Sequence, residues 1–482
     1  MNFLPYSLRT ALFTMAGAVL ISSCATLHMD EGTVAYEQLR YQDAIHHLGK
    51  AVQGNATPEA YRMLAAAYAK VNATDEAAMA YGLLCAGPHA EDDDRIAYAR
   101  ILMSQGKYDR ASEILEAVSA RNPADMMARS LQISAMGAED VRRDSTAYEL
   151  TAMETPGVLA AFSPCVYGDQ LIFTGSIEKM GARDPYTDLS YTDLYSMPIS
   201  GGKPIPLEGA NGPYHDGVAT VSPDGKMLAY TRSSHKEEKA RRLTSEGDVN
   251  NTTIYYARRN AQDTGWEKPI EIGLTDGKFM FAHPAFSADG ERLYFSSNYP
   301  GGSGGMDIWY IKRNGNTWQF PPVNLGPVVN SPGNEVFPQP QGTDTLYYAS
   351  DAHFTLGGLD VVYAIKGDST WSAPHHLGYP LNSRSDDFGI VFAKGNRSGW
   401  VSSDRGGYDQ IFAFTINPSP LDVRGRVVEA HSRQPIPYAK LRLIDVQDGS
   451  AFNITADKNG HFEARLPHAH KYEIQASMDL FF

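Results

Sequence analysis

The chain has 482 residues and 43% apolar content, enough for several separate hydrophobic cores. Its 56 acidic and 42 basic side chains give a net charge of -14 and a pI near 5.5. That balance excludes a nucleic-acid partner, because contact with a phosphate backbone needs a basic surface to displace counterions.

Residues 11–21, ALFTMAGAVLI, form an apolar run as long as a signal-peptide core and too short to span a bilayer. The run ends in ISSC, and a small-residue pair before Cys24 resembles the bacterial lipobox. The resemblance implies a signal peptide over 1–23, cut ahead of Cys24, with lipid carried on that cysteine. Arg9 is the sole basic residue of the n-region, so an ordinary secretory signal is the alternative. Cys85 and Cys165 share no C-x-x-C spacing and fall in different predicted domains, so neither a zinc site nor a disulfide framework is expected.

Residues 24–146 read as an α-helical tetratricopeptide solenoid. YQDAIHHLGKAV, ATDEAAMAYGLL and KYDRASEILEAV place Ala44, Ala77 and Ala111 at spacings of 33 and 34 residues, the period of that repeat. Leu48, Tyr81 and Leu115 follow four residues on, and Ala51, Leu84 and Val118 three further, so each second helix is expected to pack through these positions. Such arrays receive peptides or helices on a concave face. The repeat register makes Tyr36, Arg62 and Arg100 candidates for partner binding there. Glu91-Asp92-Asp93-Asp94 reads as an acidic helix start rather than a cation site.

Residues 147–418 read as a five-bladed β-propeller. LIFTGS, LAYTRS, LYFSSN, LYYASD and GWVSSD recur at steps of 57, 65, 53 and 53 residues, and each precedes a second strand such as DIWYIKR or DVVYAIK. Residues near 147–153 are expected to supply the strand that the last blade lacks, which closes the ring and removes an exposed edge. Gly301-Gly302-Ser303-Gly304-Gly305 fits the G-x-S-x-G pattern of a hydrolase nucleophile, but that mechanism needs a helix directly after it, and a strand is predicted instead. Ser303 is therefore assigned to a turn, with Asp307 accepting backbone N–H bonds and no catalytic role. The charged insertion SSHKEEKARRLTSEGDVN adds Lys236, Arg241 and Arg242 as partner-binding candidates.

Residues 419–482 alternate apolar and polar side chains around turns at Asp448-Gly449 and Asn459-Gly460. They predict a small β-sandwich and resemble the transthyretin-like carboxypeptidase regulatory domain, most clearly in TADKNGHFEARLP. The ending MDLFF predicts truncation of a longer protein. No metal centre or cofactor is expected.

The module order, together with FSADG, LYFSSN and GGMDIW, resembles the PorE-type outer-membrane lipoproteins of type IX secretion. The resemblance implies a non-enzymatic scaffold facing the periplasm, held by lipid in the outer membrane and partnered by other type IX secretion proteins. In that family an OmpA-like domain, missing here, binds peptidoglycan, so wall contact is expected only through that missing domain. The blade motif is shared with TolB-like proteins. A TolB-like periplasmic adaptor or glycan-binding propeller is therefore the alternative, followed by a propeller-associated hydrolase.

Overall fold

The computed structural model describes residues 25–143, 147–178, 189–213, 215–233, 252–262, 264–274, 278–315, 317–368, 370–417, 420–446, 451–467 and 472–478. The chain divides into two compact units, 1–143 with 150–414 and 144–149 with 415–482.

The first unit begins with helical hairpins: α1 over 25–37 with α2 (Tyr41–Gly54), α3 (Pro58–Lys70) with α4 (Thr74–Ala86), and α5 (Asp92–Ser104) with α6 (Tyr108–Arg121). A last helix, α7 (Met126–Arg143), closes the array. Ala44, Ala77 and Ala111 are fully buried, and small side chains there let neighbouring helices approach. Leu48 and Leu115 are also fully buried, each contributing roughly 1.5–3 kcal/mol through apolar area removed from water. Pro58 starts α3 where no N–H partner is required, and Thr57 caps it by accepting the Ala60 N–H at 3.2 Å.

Five four-stranded antiparallel sheets come next. Strand β1 (Tyr148–Ala152) belongs to the last of them. The first sheet holds β2 (Ala160–Tyr167), β3 (Gln170–Ser176), β4 (Asp193–Pro198) and β5 (Ile205–Pro206). The second holds β6 (Asp216–Val221), β7 (Met227–Ser233), β8 (Thr252–Arg258) and β9 (Ile270–Glu271). The third comprises β10 (Phe281–Phe286), β11 (Arg292–Ser297), β12 (Asp307–Asn314) and β13 (Thr317–Asn324). The fourth comprises β14 (Glu335–Gln341), β15 (Thr345–Ser350), β16 (Asp360–Ile365) and β17 (His375–His376). In the fifth, β18 (Asp387–Phe392), β19 (Ser398–Ser403) and β20 (Gln410–Ile416) are completed by β1, which lies beside β20.

The first strand of each sheet touches that of the next, and β18 touches β2, so the arrangement is a closed, propeller-like ring. Each first strand carries a bulge, and at each bulge one residue adopts positive φ: Ser163, Val218, His283, Phe337 and Gly389, between 49° and 60°. Left-handed backbone costs a β-branched residue such as Val218 most, so its presence shows that the surrounding sheets over-determine the conformation. The bulge amides of Val218, His283 and Ser163 donate to Thr174, Thr231 and Ser402 on the second strand of the preceding sheet, at 2.6, 2.9 and 2.8 Å. One repeated bond thus couples neighbouring sheets, including the fifth to the first.

Ser222-Pro223-Asp224-Gly225 and Ser287-Ala288-Asp289-Gly290 form tight turns ahead of β7 and β11. Ser222 and Ser287 each accept the N–H of the residue five on, Met227 and Arg292, at 2.9 Å. Gly225 and Gly290 take the positive φ the turns require, 70° and 69°.

In the second unit, β21 (Pro420–Arg426) pairs with β24 (His461–Pro467), while β22 (Lys440–Asp445) lies between β23 (Ala451–Thr455) and β25 (Tyr472–Ser477). Leu441 and Leu443 point into a core with Ala439, Ala456 and Ala464, while Lys440 and Arg442 are exposed, the alternation of a sheet buried on one face. Gly460 turns at φ 78° in the Asn459-Gly460 hairpin. Asp448-Gly449 lies outside the described residues.

Candidate docking surfaces and buried carboxylates

The three groove candidates on the helical array are all engaged within the chain. Tyr36 packs into the α1/α2 core with its ring edge-on to Tyr41, centroids 5.4 Å apart, and burial raises the pKa of its hydroxyl. Arg62 bridges two repeats: its Nε and Nη2 donate to Asp94 at 2.7 and 2.9 Å, Nη1 to Glu59 at 2.6 Å and Nη2 to Glu91 at 3.0 Å. Asp94 is buried, and it also accepts the Glu91 N–H at 2.8 Å at the start of α5. Burial acts to raise the Asp94 carboxyl, but the Arg62 hydrogen bond, the Glu91 amide and the Arg62 charge outweigh it and hold it below the ordinary carboxylate range. The acidic run is thus a helix start with an inter-repeat clasp added.

Arg100 meets a segment of its own chain. Its Nη1 donates to the Asp351 carbonyl at 2.8 Å, and Asp351 is the first residue of the loop between β15 and β16. That loop continues along the helices. Tyr108 Oη donates to the Leu356 carbonyl at 2.8 Å, Ser130 Oγ to the Ala352 carbonyl, and Ser134 Oγ accepts the Thr355 N–H at 3.2 Å. Leu356 is fully buried within the α5–α7 core, and Phe354 rests on Gly137, where a Cβ would stand 2.8 Å from the ring. Farther on, Arg384 donates to the Gln105 carbonyl at 2.9 Å, and Asn72 to Asp404 at 2.8 Å. Helical array and ring are therefore one continuous packed body.

Ser303 lies in a loop tied by a carboxylate. Its N–H donates to Asp307 Oδ2 at 2.6 Å, and the Gly304 N–H to Oδ1 at 3.1 Å. The same clamp recurs: Gly212, Ser331, Leu356 and Ser383 each donate their N–H to the carboxylate four residues later, Asp216, Glu335, Asp360 and Asp387, at 2.5–2.8 Å. Five buried acids thus terminate five loops, and Ser303 is one donor among them. The loop of Ser303 leads into the strand β12, not into a helix, so the geometry of a nucleophile elbow is missing.

These acids have different companions. Arg232 pairs with Asp216 at 2.5 Å, Arg405 with Asp387, and His376 Nε2 sits 2.7 Å from Asp360. Glu335 has only hydroxyl and amide donors at hydrogen-bond distance, Ser331 and Ser350, so burial dominates and pushes its carboxyl up to about 7. Burial also raises Asp387 to about 6, and Asp409 to about 7 with the Asp404 and Asp386 charges adding to it. On the first strands of the sheets, His283 stacks on Phe337 at 3.9 Å, Phe337 meets Phe388 at a tilt with centroids 4.5 Å apart, and Phe388 meets Phe162 edge-on at 6.0 Å. Burial lowers the His283 imidazole to about 3, so it packs as a neutral ring.

Cys24, Lys236, Arg241 and Arg242 lie outside the described residues. Cys85 and Cys165 are free, partly buried thiols. Sequence reasoning did not anticipate the loop 351–358 as an occupant of the helical array, because none of its residues carries a docking motif. It also passed over His28, Glu31 and His47, although an H-x-x-E pair one turn apart on the first helix was a usable signal.

Residues 422–481 match the carboxypeptidase regulatory-like domain family. The C-terminal module is a carboxypeptidase regulatory-like domain. No curated protein matches the chain. Among solved structures, the TPR protein YrrB, which has an unusual peptide-binding site, aligns over 25% of this chain and 62% of its own at 19% identity and a TM-score of 0.24. TolB from Acinetobacter baumannii aligns over 53% of this chain and 54% of its own at 13% identity, TM-score 0.30. The periplasmic gluconolactonase PpgL of Pseudomonas aeruginosa aligns over 68% and 95% at 12% identity, TM-score 0.32. The chain thus spans less than two thirds of YrrB and about half of TolB. Likenesses of this extent assign no activity.

Proposed function

We propose that this protein is a non-enzymatic, lipid-anchored scaffold that ties secretion-system components at the outer membrane to the cell wall. The observation that carries this reading is the continuous packing of helical array and ring through residues 351–358, which makes them one packed platform, as a tether that transmits position requires. Read as blades, the five sheets make a five-bladed propeller. The apolar run before Cys24 supports a lipid anchor facing the periplasm. The regulatory-like domain serves as a rigid spacer in this reading. The assignment of Ser303 and Asp307 to a structural clamp supports a role without catalysis.

The partners are other type IX secretion proteins, recognised through several weak contacts whose combined avidity holds the assembly. Crosslinking in intact cells with a photoreactive residue at exposed Met79 or Met136, and identification of the captured proteins, tests the reading. Secretion-ring components in the adducts are the expected result. Adducts made only with soluble periplasmic glycans or small-molecule enzymes would overturn it.

A further inference from the structure

Two imidazoles and a carboxylate converge between α1 and α2. His28 and Glu31 stand one turn apart on α1, and His47 faces them from α2. His28 Nδ1 lies 3.2 Å from His47 Nδ1 and 3.3 Å from Glu31 Oε2, and His47 Nδ1 lies 2.8 Å from that same oxygen. The helices approach closely here because residue 32 is glycine: a Cβ at Gly32 would stand 2.7 Å from Leu48 Cγ. Ala35, Tyr41, Ala44 and Leu48 pack beneath and fix the distance.

Protons satisfy this triangle only through one N–H shared between a nitrogen and the carboxylate. If both Nδ1 atoms carry hydrogen, two donors abut at 3.2 Å and compete for one oxygen. If only one does, the other nitrogen turns a lone pair towards the carboxylate. A cation at the centre removes every conflict at once, because all three atoms then present lone pairs to it. The spacing is close: a tetrahedral zinc ion with bonds of about 2.0–2.2 Å holds its donor atoms about 3.3–3.6 Å apart, which the 3.2 and 3.3 Å separations nearly meet, while His47 and Glu31, at 2.8 Å, would have to part on binding.

We propose that His28, Glu31 and His47 form a site for a divalent transition metal of the zinc type, with water as fourth ligand. Two imidazoles and one carboxylate are a borderline donor set that suits zinc over calcium or magnesium, which take oxygen ligands. Glu31 is 44% exposed and the imidazoles about a quarter, so an ion has a path in and the fourth position faces solvent. Among the described residues no other trio of His, Cys, Asp or Glu side chains converges in this way. The ion would staple the first helical hairpin, four residues beyond Cys24. This site stands independently of the scaffold reading.

The test is a titration of the chelator-stripped full chain with zinc chloride by calorimetry, with cobalt(II) as a spectroscopic substitute. One ion per chain is expected, with cobalt absorption of four-coordinate intensity and a rise in the thermal midpoint. His47→Ala should weaken binding about 100-fold or more, and Glu31→Gln less, as loss of one ligand from a small set requires. His46→Ala is the control, since His46 Nε2 lies 2.9 Å from Lys50 Nζ and outside the trio; it should keep full affinity. No stoichiometric binding by the wild-type chain would overturn the site, as would binding that both His47→Ala and Glu31→Gln retain unchanged.

Discussion

Ser402 Oγ accepts the Ser163 backbone N–H at 2.8 Å, joining the fifth sheet to the first across 239 residues. The equivalent places in the third and fourth sheets hold Ser296, whose hydroxyl has no partner, and Ala349, which has none to offer. The hydroxyl is therefore not required at every joint, but it is present where the ring must close. Ser402→Ala leaves a buried amide without its acceptor and should cost about 1–3 kcal/mol in urea unfolding. An unchanged midpoint would show that closure rests on the packing of β18 and β19 against β2 and on the Ala161 N–H bond to the Asp409 carbonyl at 2.8 Å.

Docking of the ring loop onto the helices depends on Tyr108. Removing its hydroxyl in Tyr108→Phe keeps the packed ring but leaves the Leu356 carbonyl unpaired, at a cost of about 1–2 kcal/mol. Hydrogen exchange at Thr355 and Leu356 should accelerate while exchange in β22 and β23 stays as in the wild type. Uniform acceleration across the chain would contradict a local joint.

Glu335 is buried with a carboxyl raised to about 7. A raised folded pKa means that the stabilising protonated form is complete below the unfolded value and lost as pH rises through about 7. Glu335→Gln stays neutral and should gain stability relative to wild type at pH 8, with the gain shrinking towards pH 5. Chemical denaturation of both proteins across that range checks the sign, and a pH-independent difference would count against it. Titrating groups remote from Glu335 cancel in the comparison, whereas His353, whose Nε2 lies 3.9 Å from Glu335 Oε1, and Asp351 are coupled to it.

Ser303 and Asp307 separate a turn from a nucleophile. Ser303→Ala keeps the donating N–H and should change stability by less than about 0.5 kcal/mol, whereas Asp307→Ala frees two loop amides and the Asn324 side chain and should cost about 1–3 kcal/mol. Ester hydrolysis that depends on Ser303 would reverse the assignment.

Much of the architecture was legible in advance. The small-residue period at Ala44, Ala77 and Ala111 and the recurring strand from LIFTGS to GWVSSD both come from local rules, because burial of one face imposes a fixed spacing along a helix or a blade. The bulge residues were not legible. Ser163, Val218, His283, Phe337 and Gly389 share a backbone conformation but no side-chain chemistry, so no sequence pattern marks them.

The docking candidates divide the same way. Charge and register flagged Arg62 and Arg100 as residues with something to bind, and both bind, but within the chain. Which acceptor an arginine meets is a matter of what folding carries into reach, 251 residues away in the case of Arg100 and Asp351. Sequence by itself determined the modules, their order and their repeat periods, since these rest on local periodicity. Only the tertiary structure decided that the ring closes through Ser402, that a ring loop fills the helical array, and that His28, Glu31 and His47 meet, because each depends on distances between segments that no local rule sets.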